Sequence, residues 1–192
     1  MEEKFKILEQ ILGKDRVKFD ESLKYHLANP SDAKAECLYI ATSVLELERI
    51  LNLARELKIP FFLFGSGTKI FINENIKGIA VKNRTAGIKI SGVKGKVSNK
   101  GIGVEEAMVE AESGVSIKKL NDYLQEQKLK LFDFPVIQGA TIGGSLYITP
   151  ALLNAAQKIK VWSDGEISDI DTLDLKREDI VVSVIFKVKA TT

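Results

Sequence analysis

The sequence predicts an α+β fold in which helices pack on mixed sheets. Three observations predict it. Two segments with helical periodicity lie before residue 60, apolar runs of strand length crowd the chain after it, and helices and strands interleave without the regular repeat of a doubly wound sheet. At 192 residues and 45% hydrophobic the chain can bury one sizeable core, so a single domain over 1–192 is expected. Residues 1–58 read as its mainly helical part and 59–192 as its β-rich part, which carries two glycine-rich loops.

The elements follow in order. Phe5, Leu8 and Leu12 recur at helical spacing and Gly13 offers a C-terminal cap, predicting a short helix over Lys4 to Leu12. Ser43 and Glu46 form a capping box ahead of the stripe Val44, Leu47, Ile50, Leu51, Ala54 and Leu57, which predicts a helix running to about Lys58. Ile59 to Phe64 is a continuous apolar run, expected to be a strand buried on both faces. Short strands are expected at Ile70 to Ile72, Ile79 to Val81, Ile88 to Ile90 and Met108 to Ala111. Ser91 to Gly103, glycine- and lysine-rich, reads as an exposed hairpin tip or mobile loop, with a plain linker as the preferred alternative.

Ser116 can cap a helix with Ile117, Leu120, Tyr123 and Leu124 on its inner face, and a strand is expected near Leu129 to Leu131. Lys158 to Trp162 alternates before an Asp164-Gly165 turn. Ile180, Val182, Val184, Phe186 and Val188 mark a buried terminal strand from about Asp179.

Composition narrows the chemistry. Lys+Arg of 28 against Asp+Glu of 26 leaves a net charge of +2 with both signs interspersed, so nucleic acid is not expected as a partner. The start, MEEKFKILEQILG, has charges inside its apolar stretch and reads as neither signal peptide nor membrane span, so a cytoplasmic location is expected. Cys37 is the only cysteine and His26 the only histidine. No internal disulfide or His/Cys metal site can be assembled from them, and Ser-His-Asp or Cys-His catalysis is excluded unless His26 is the base. His26 lies in a polar stretch with no nucleophile motif and is read as a surface or packing residue.

The loop Gly65-Ser66-Gly67-Thr68-Lys69 follows the Phe-rich strand. Glycines there allow positive φ and close backbone approach, leaving amides free for phosphate oxygens. Neither a completed GxGxxG nor a GxxxxGK[ST] is present. The second loop, Gly139-Ala140-Thr141-Ile142-Gly143-Gly144-Ser145, offers a surface that a bulky anion could approach, with the Thr141 and Ser145 hydroxyls as further donors. A tight turn at a sheet edge is the alternative for that segment. A branched side chain at Gly67 or Gly143 is expected to block an approaching ligand and spare the fold.

In order, the Ile59-Pro60 strand, the GSGTK loop, Gly78-Ile79-Ala80-Val81, Val109-Glu110-Ala111-Glu112-Ser113-Gly114-Val115 and GATIGGS resemble a known pattern. It is that of the FAD-binding domain of the p-cresol methylhydroxylase and vanillyl-alcohol oxidase superfamily, nearest to the UDP-N-acetylenolpyruvoylglucosamine reductases. That superfamily shows G-x-G-[ST]-[NK], then V-x-A-x-x-G-V before a helix, then G-[ST]-[IV]-G-G. LEQILGKDRVKFDESL resembles the lead-in of FAD-linked lactate and glycolate oxidases, and Trp162 to Ile167 their V-x-x-x-D-G-x-I hairpin.

The resemblance implies an FAD-binding fold of p-cresol methylhydroxylase type. It implies that Gly65, Ser66, Gly67, Thr68 and Lys69, with Gly139, Ala140, Thr141, Ile142, Gly143 and Gly144, contact the FAD diphosphate, and that Gly114 and the Ile180-Val181 backbone lie near the adenosine. It also implies non-covalent FAD, because relatives that tether flavin use His or Cys at loop positions that have neither here.

The sequence departs from the reductase pattern in three places. The Tyr-Arg-x-Ser segment before the terminal strand is absent, Leu146-Tyr147-Ile148-Thr149-Pro150-Ala151 replaces Asn-x-Gly-Ala-Tyr-Gly, and the chain stops after the terminal strand. No catalytic residue is assigned. Tyr147 and Lys69 are the residues that could act near the flavin ring, Tyr147 as a proton donor, but the preferred reading is that Tyr147 packs and Lys69 neutralises phosphate. Two functions stay open: an FAD-dependent oxidoreductase domain whose substrate site a partner protein completes, or a non-catalytic binding or regulatory descendant.

Overall fold

The computed structural model describes residues 3–98, 101–131 and 139–191. They gather into two compact units that divide between Thr85 and Ala86.

The first unit opens with α1 (Glu3–Leu12), which buries Phe5 and Leu8. Gly13 ends it at φ +96°, its amide bonded to the Glu9 carbonyl at 2.9 Å. Then come β1 (Val17–Ser22), β2 (Lys34–Ala41), α2 (Val44–Glu56), β3 (Phe61–Phe64) and β4 (Ile76–Asn83). The Ser43 hydroxyl accepts from the Glu46 amide at 3.2 Å, and the Glu46 carboxylate accepts from the Thr42 amide at 2.8 Å, so the capping box closes one residue early. The strands form one mixed sheet, ordered β1-β2-β4-β3, with only β1 antiparallel to its neighbour. Leu47, Ile50, Leu51 and Ala54 bury the inner face of α2, which packs against β2 and β4. Ala35, Leu38, Phe64 and Ala80 form a second cluster with Leu23 and Leu27.

The second unit contains β5 (Ile88–Ser98), β6 (Gly101–Glu112), α3 (Ile117–Glu126), β7 (Leu129–Lys130), α4 (Ile142–Leu146), α5 (Pro150–Ala155), β8 (Ala156–Ser163), β9 (Glu166–Ile170) and β10 (Ile180–Ala190). The sheet runs β5-β6-β10-β8-β9 with β7 also on β10, and every pairing is antiparallel. Ser116 caps α3 by accepting from the Lys119 amide at 3.1 Å. Ile117, Leu120 and Leu124 join Val109, Ile142, Ile159, Val184 and Phe186 in one core. Asp164 and Gly165 both have positive φ, the geometry that suits a two-residue hairpin.

Several expectations are corrected. β3 stands at the edge of its sheet, and Phe61, Phe62 and Leu63 are half-buried rather than buried on both faces; only Phe64 is buried. The terminal strand is central and buried as expected. Ile70 to Ile72 is not a strand: Ile70 and Ile72 pack against the first unit's core, and their carbonyls accept from the Asn29 and Ser31 side chains instead of a ladder. Ser91 to Gly103 is part of a hairpin, as one of its readings had it, and not a linker or mobile loop; its strands carry Lys94–Glu106 and Lys96–Glu105 ion pairs instead of apolar alternation. β1, β2, α4 and α5 were not foreseen, so residues 1–58 hold two strands as well as two helices. Phe134 to Ile137 lie outside the described residues.

Candidate functional site

The first glycine-rich loop leaves the end of β3. Its carbonyls turn toward one short segment of the chain. The Ala28 amide donates to the Ser66 carbonyl at 2.8 Å, and Asn29 Nδ2 approaches the carbonyls of Gly67, Thr68 and Ile70 at 3.4, 3.1 and 3.3 Å. Among the described residues, the backbone amides of Ser66, Gly67, Thr68 and Lys69 donate to no protein acceptor. Four successive amides left open in this way fit an anion. Lys69 is exposed and forms no ion pair among the described residues.

Gly67 has φ +74°, and a Cβ there would lie 2.6 Å from Leu27 Cδ2 and 3.2 Å from Leu27 Cα. Glycine at 67 is therefore demanded by the fold itself. Gly143 is less tightly confined: its Cβ would meet Ser113 Cβ at 3.0 Å. The expectation that a branched residue spares the fold is corrected at Gly67, which both its backbone conformation and Leu27 reserve for glycine; at Gly143 Ser113 would have to give way by a few tenths of an ångström.

The second glycine-rich segment leads into the short helix α4. The Ala140 carbonyl accepts from the Ile117 amide at 2.9 Å, the Ile142 amide donates to the Val115 carbonyl at 2.8 Å, and the Gly143 amide donates to the Ser113 carbonyl at 2.9 Å. Ile142 is fully buried and anchors the segment in the core. Gly139, exposed at φ +76°, and Gly144, also exposed, present backbone to the surface. A Cβ on Gly144 would find Thr141 Oγ1 at 3.7 Å, ordinary contact, so this glycine has room that the fold does not use. The Ser145 hydroxyl is buried and has no hydrogen-bond partner among the described residues.

The second unit brings several foreseen residues together. The Ser113 amide donates to the Val182 carbonyl at 2.8 Å, so the Ser113-Gly114 turn sits against the start of β10, beside Ile180 and Val181, and Gly143 rests on the same Ser113. Tyr147 Oη donates to the Asp179 carbonyl at 2.6 Å, tying the end of α4 to the same strand. Burial, with the Asp179 and Glu178 charges, pushes its phenol up to about 12. The first loop belongs to the other unit.

The supporting segment Leu27-Ala28-Asn29 was missed in the sequence, where it looked like polar surroundings for His26. The Asn29-Pro30 dipeptide was the available signal for an ordered turn. His26 Nε2 lies 3.0 Å from Glu21 Oε1, and its carbonyl accepts from Lys82 Nζ at 2.7 Å. Cys37 is buried, and burial, with the Glu36 charge, raises its thiol to about 12. Among the described residues no helix is long and apolar enough to cross a membrane.

Known proteins share both sequence and fold with the chain. It is 28% identical over 142 residues to a UDP-N-acetylenolpyruvoylglucosamine reductase of Alkaliphilus oremlandii, covering 74% of this chain but 43% of that relative. The structure of the corresponding Thermus caldophilus reductase matches 89% of this chain and 62% of its own, with a TM-score of 0.68 at 15% identity. That of p-cresol methylhydroxylase matches the whole chain and 44% of its own, with a TM-score of 0.59 at 14% identity. The fold is thus the FAD-binding type these proteins share. Residues 35–148, more than half of the chain, match the model for the FAD binding domain, and the protein belongs to that family.

Proposed function

We propose that this chain is the FAD-binding domain of an oxidoreductase and holds its cofactor without a covalent bond. One observation carries the reading: the amides from Ser66 to Lys69 are open, while the carbonyls of that loop are turned inward, in a chain of the FAD-binding family. When bound, the flavin supplies the hydride chemistry. The chain supplies donors. The Ser66–Lys69 amides meet phosphate oxygens, and the Lys69 ammonium neutralises charge. Within Gly139 to Gly144, the exposed backbone of Gly139 and Gly144 and the Thr141 hydroxyl add to these donors. Gly114 and the Ile180-Val181 backbone serve the adenosine.

Reversible binding is supported by the loops, which contain no His or Cys, and by the state of the only two such residues: His26 pairs with Glu21, and Cys37 is buried. A cytoplasmic setting, with its reduced thiols, suits the single unpaired Cys37. The chain aligns with less than half of the Alkaliphilus reductase. Because no residue of this chain is assigned to substrate placement or proton delivery, a partner protein is proposed to supply them. A second reading, a non-catalytic binding module of the same fold, is favoured by Tyr147, a candidate proton donor beside the second loop that is instead held by the Asp179 carbonyl.

The test is to titrate the purified protein with FAD, then precipitate it with acid. Saturable binding followed by release of all flavin to the supernatant is expected. No binding would overturn the cofactor assignment, and flavin retained on the pellet would overturn the non-covalent one.

A further inference from the structure

The first loop's open amides are aimed by donors outside it, the Ala28 amide and the Asn29 side chain, with the Ile70 amide also reaching the Gly67 carbonyl at 3.4 Å. In a trans peptide the C=O of one residue and the N–H of the next point in opposite directions. A donor that captures a carbonyl therefore also aims the following amide. The Ser66 carbonyl accepts from the Ala28 amide at 2.8 Å, which turns the Gly67 amide the other way. Asn29 Nδ2 does the same twice more: its contacts to the carbonyls of Gly67 at 3.4 Å and Thr68 at 3.1 Å turn away the amides of Thr68 and Lys69. A third contact, to the Ile70 carbonyl at 3.3 Å, fixes the loop's exit.

The residues around Asn29 are themselves held. Leu27 packs on Gly67, the His26 carbonyl accepts from Lys82 Nζ at 2.7 Å, and the Ser31 hydroxyl donates to the Ile72 carbonyl. Asn29 thus projects from a braced turn. An amide group suits the task because its two hydrogens can be shared among several carbonyls, whereas a carboxylate could only repel them.

We propose that Asn29 is the positioning residue of the first loop, gathering the carbonyls of Gly67, Thr68 and Ile70 so that the Thr68 and Lys69 amides are presented to phosphate. The proposal rests on the FAD reading above. It predicts a dependence on the ligand's phosphates that a general structural role would not produce.

The experiment compares FAD with riboflavin, which has the same ring system and no phosphate, on the wild-type chain and on Asn29→Ala, by flavin fluorescence titration after thermal melting has shown that the variant is folded. FAD affinity is expected to fall about tenfold in the variant, the scale of one or two lost hydrogen bonds, with riboflavin affinity unchanged. Equal losses for both ligands, or no loss for FAD, would overturn the proposal and leave the FAD reading standing. Failure of the wild-type chain to bind FAD would sink both. If Asn29→Ala does not fold, Asn29→Ser, which keeps a single donor, is judged by the same ratio.

Discussion

Leu27 occupies the space over Gly67, its Cδ2 2.6 Å from where a Cβ on that glycine would stand, and Gly67 itself sits at φ +74°. Shape and backbone conformation at this position are set by the protein before any ligand is considered. Gly67→Ala is expected to lower stability by about 2–4 kcal/mol, from the left-handed backbone and the overlap together. Urea unfolding in the absence of flavin checks it, and an unchanged midpoint would show that Leu27 moves aside freely.

The contrast between β10 and β3 gives a second prediction. Phe186 is fully buried on the central strand, while Phe62 is half-buried on an edge strand. Phe186→Ala should cost about 3–5 kcal/mol and Phe62→Ala about half of that. Equal losses would mean that the β3 edge is covered in solution.

Tyr147 and Asp179 give a pH signature. The phenol is raised from 10.0 to about 12, chiefly by burial and then by the Asp179 and Glu178 charges. The folded state therefore holds this proton longer than the unfolded state. The resulting stability is present below pH 10 and is lost as pH rises toward 12. Spectrophotometric titration of the wild type against Tyr147→Phe should place the missing phenolate late in the alkaline range. A difference spectrum centred at or below pH 10 would contradict it.

Glu110 behaves in the opposite sense. Burial works against its charge, but Lys89 at 3.0 Å, Lys160 at 3.1 Å and the Ser183 hydroxyl at 2.9 Å outweigh it and hold the carboxyl below its ordinary range. Its stabilising contribution is present above the unfolded value and is lost as pH falls through the depressed folded one. Glu110→Gln should flatten the acid limb of a stability-versus-pH curve. An acid limb unchanged in slope would show that the cluster contributes nothing there.

The sequence was readable where one local rule decides the outcome. Ser43 with Glu46, Gly13, Ser116 and Asp164-Gly165 all did what capping and turn chemistry require, and the strand from Ile180 announced itself by alternation. Failures came where partners distant in sequence decide. Phe61-Phe62-Leu63 is as apolar as a central strand, yet the sheet order leaves it at an edge. Ile70 and Ile72 alternate correctly around an exposed Phe71, but side chains from Asn29 and Ser31 take the bonds that a strand would need. The glycines of both loops were visible; which of them serve the fold was not, because that depends on Leu27 and Ser113, 40 and 30 residues away.

Gly144 separates the two roles, since it is exposed and the nearest atom to its absent Cβ is Thr141 Oγ1 at 3.7 Å. The most direct test of the account is an FAD titration, followed by flavin fluorescence, of the wild type beside Gly144→Val. The account predicts saturable binding by the wild type and at least a tenfold weaker affinity in a variant whose melting temperature without flavin is nearly unchanged. Equal FAD affinity in the two proteins would contradict it, showing that the backbone at Gly144 is surface and not cofactor site.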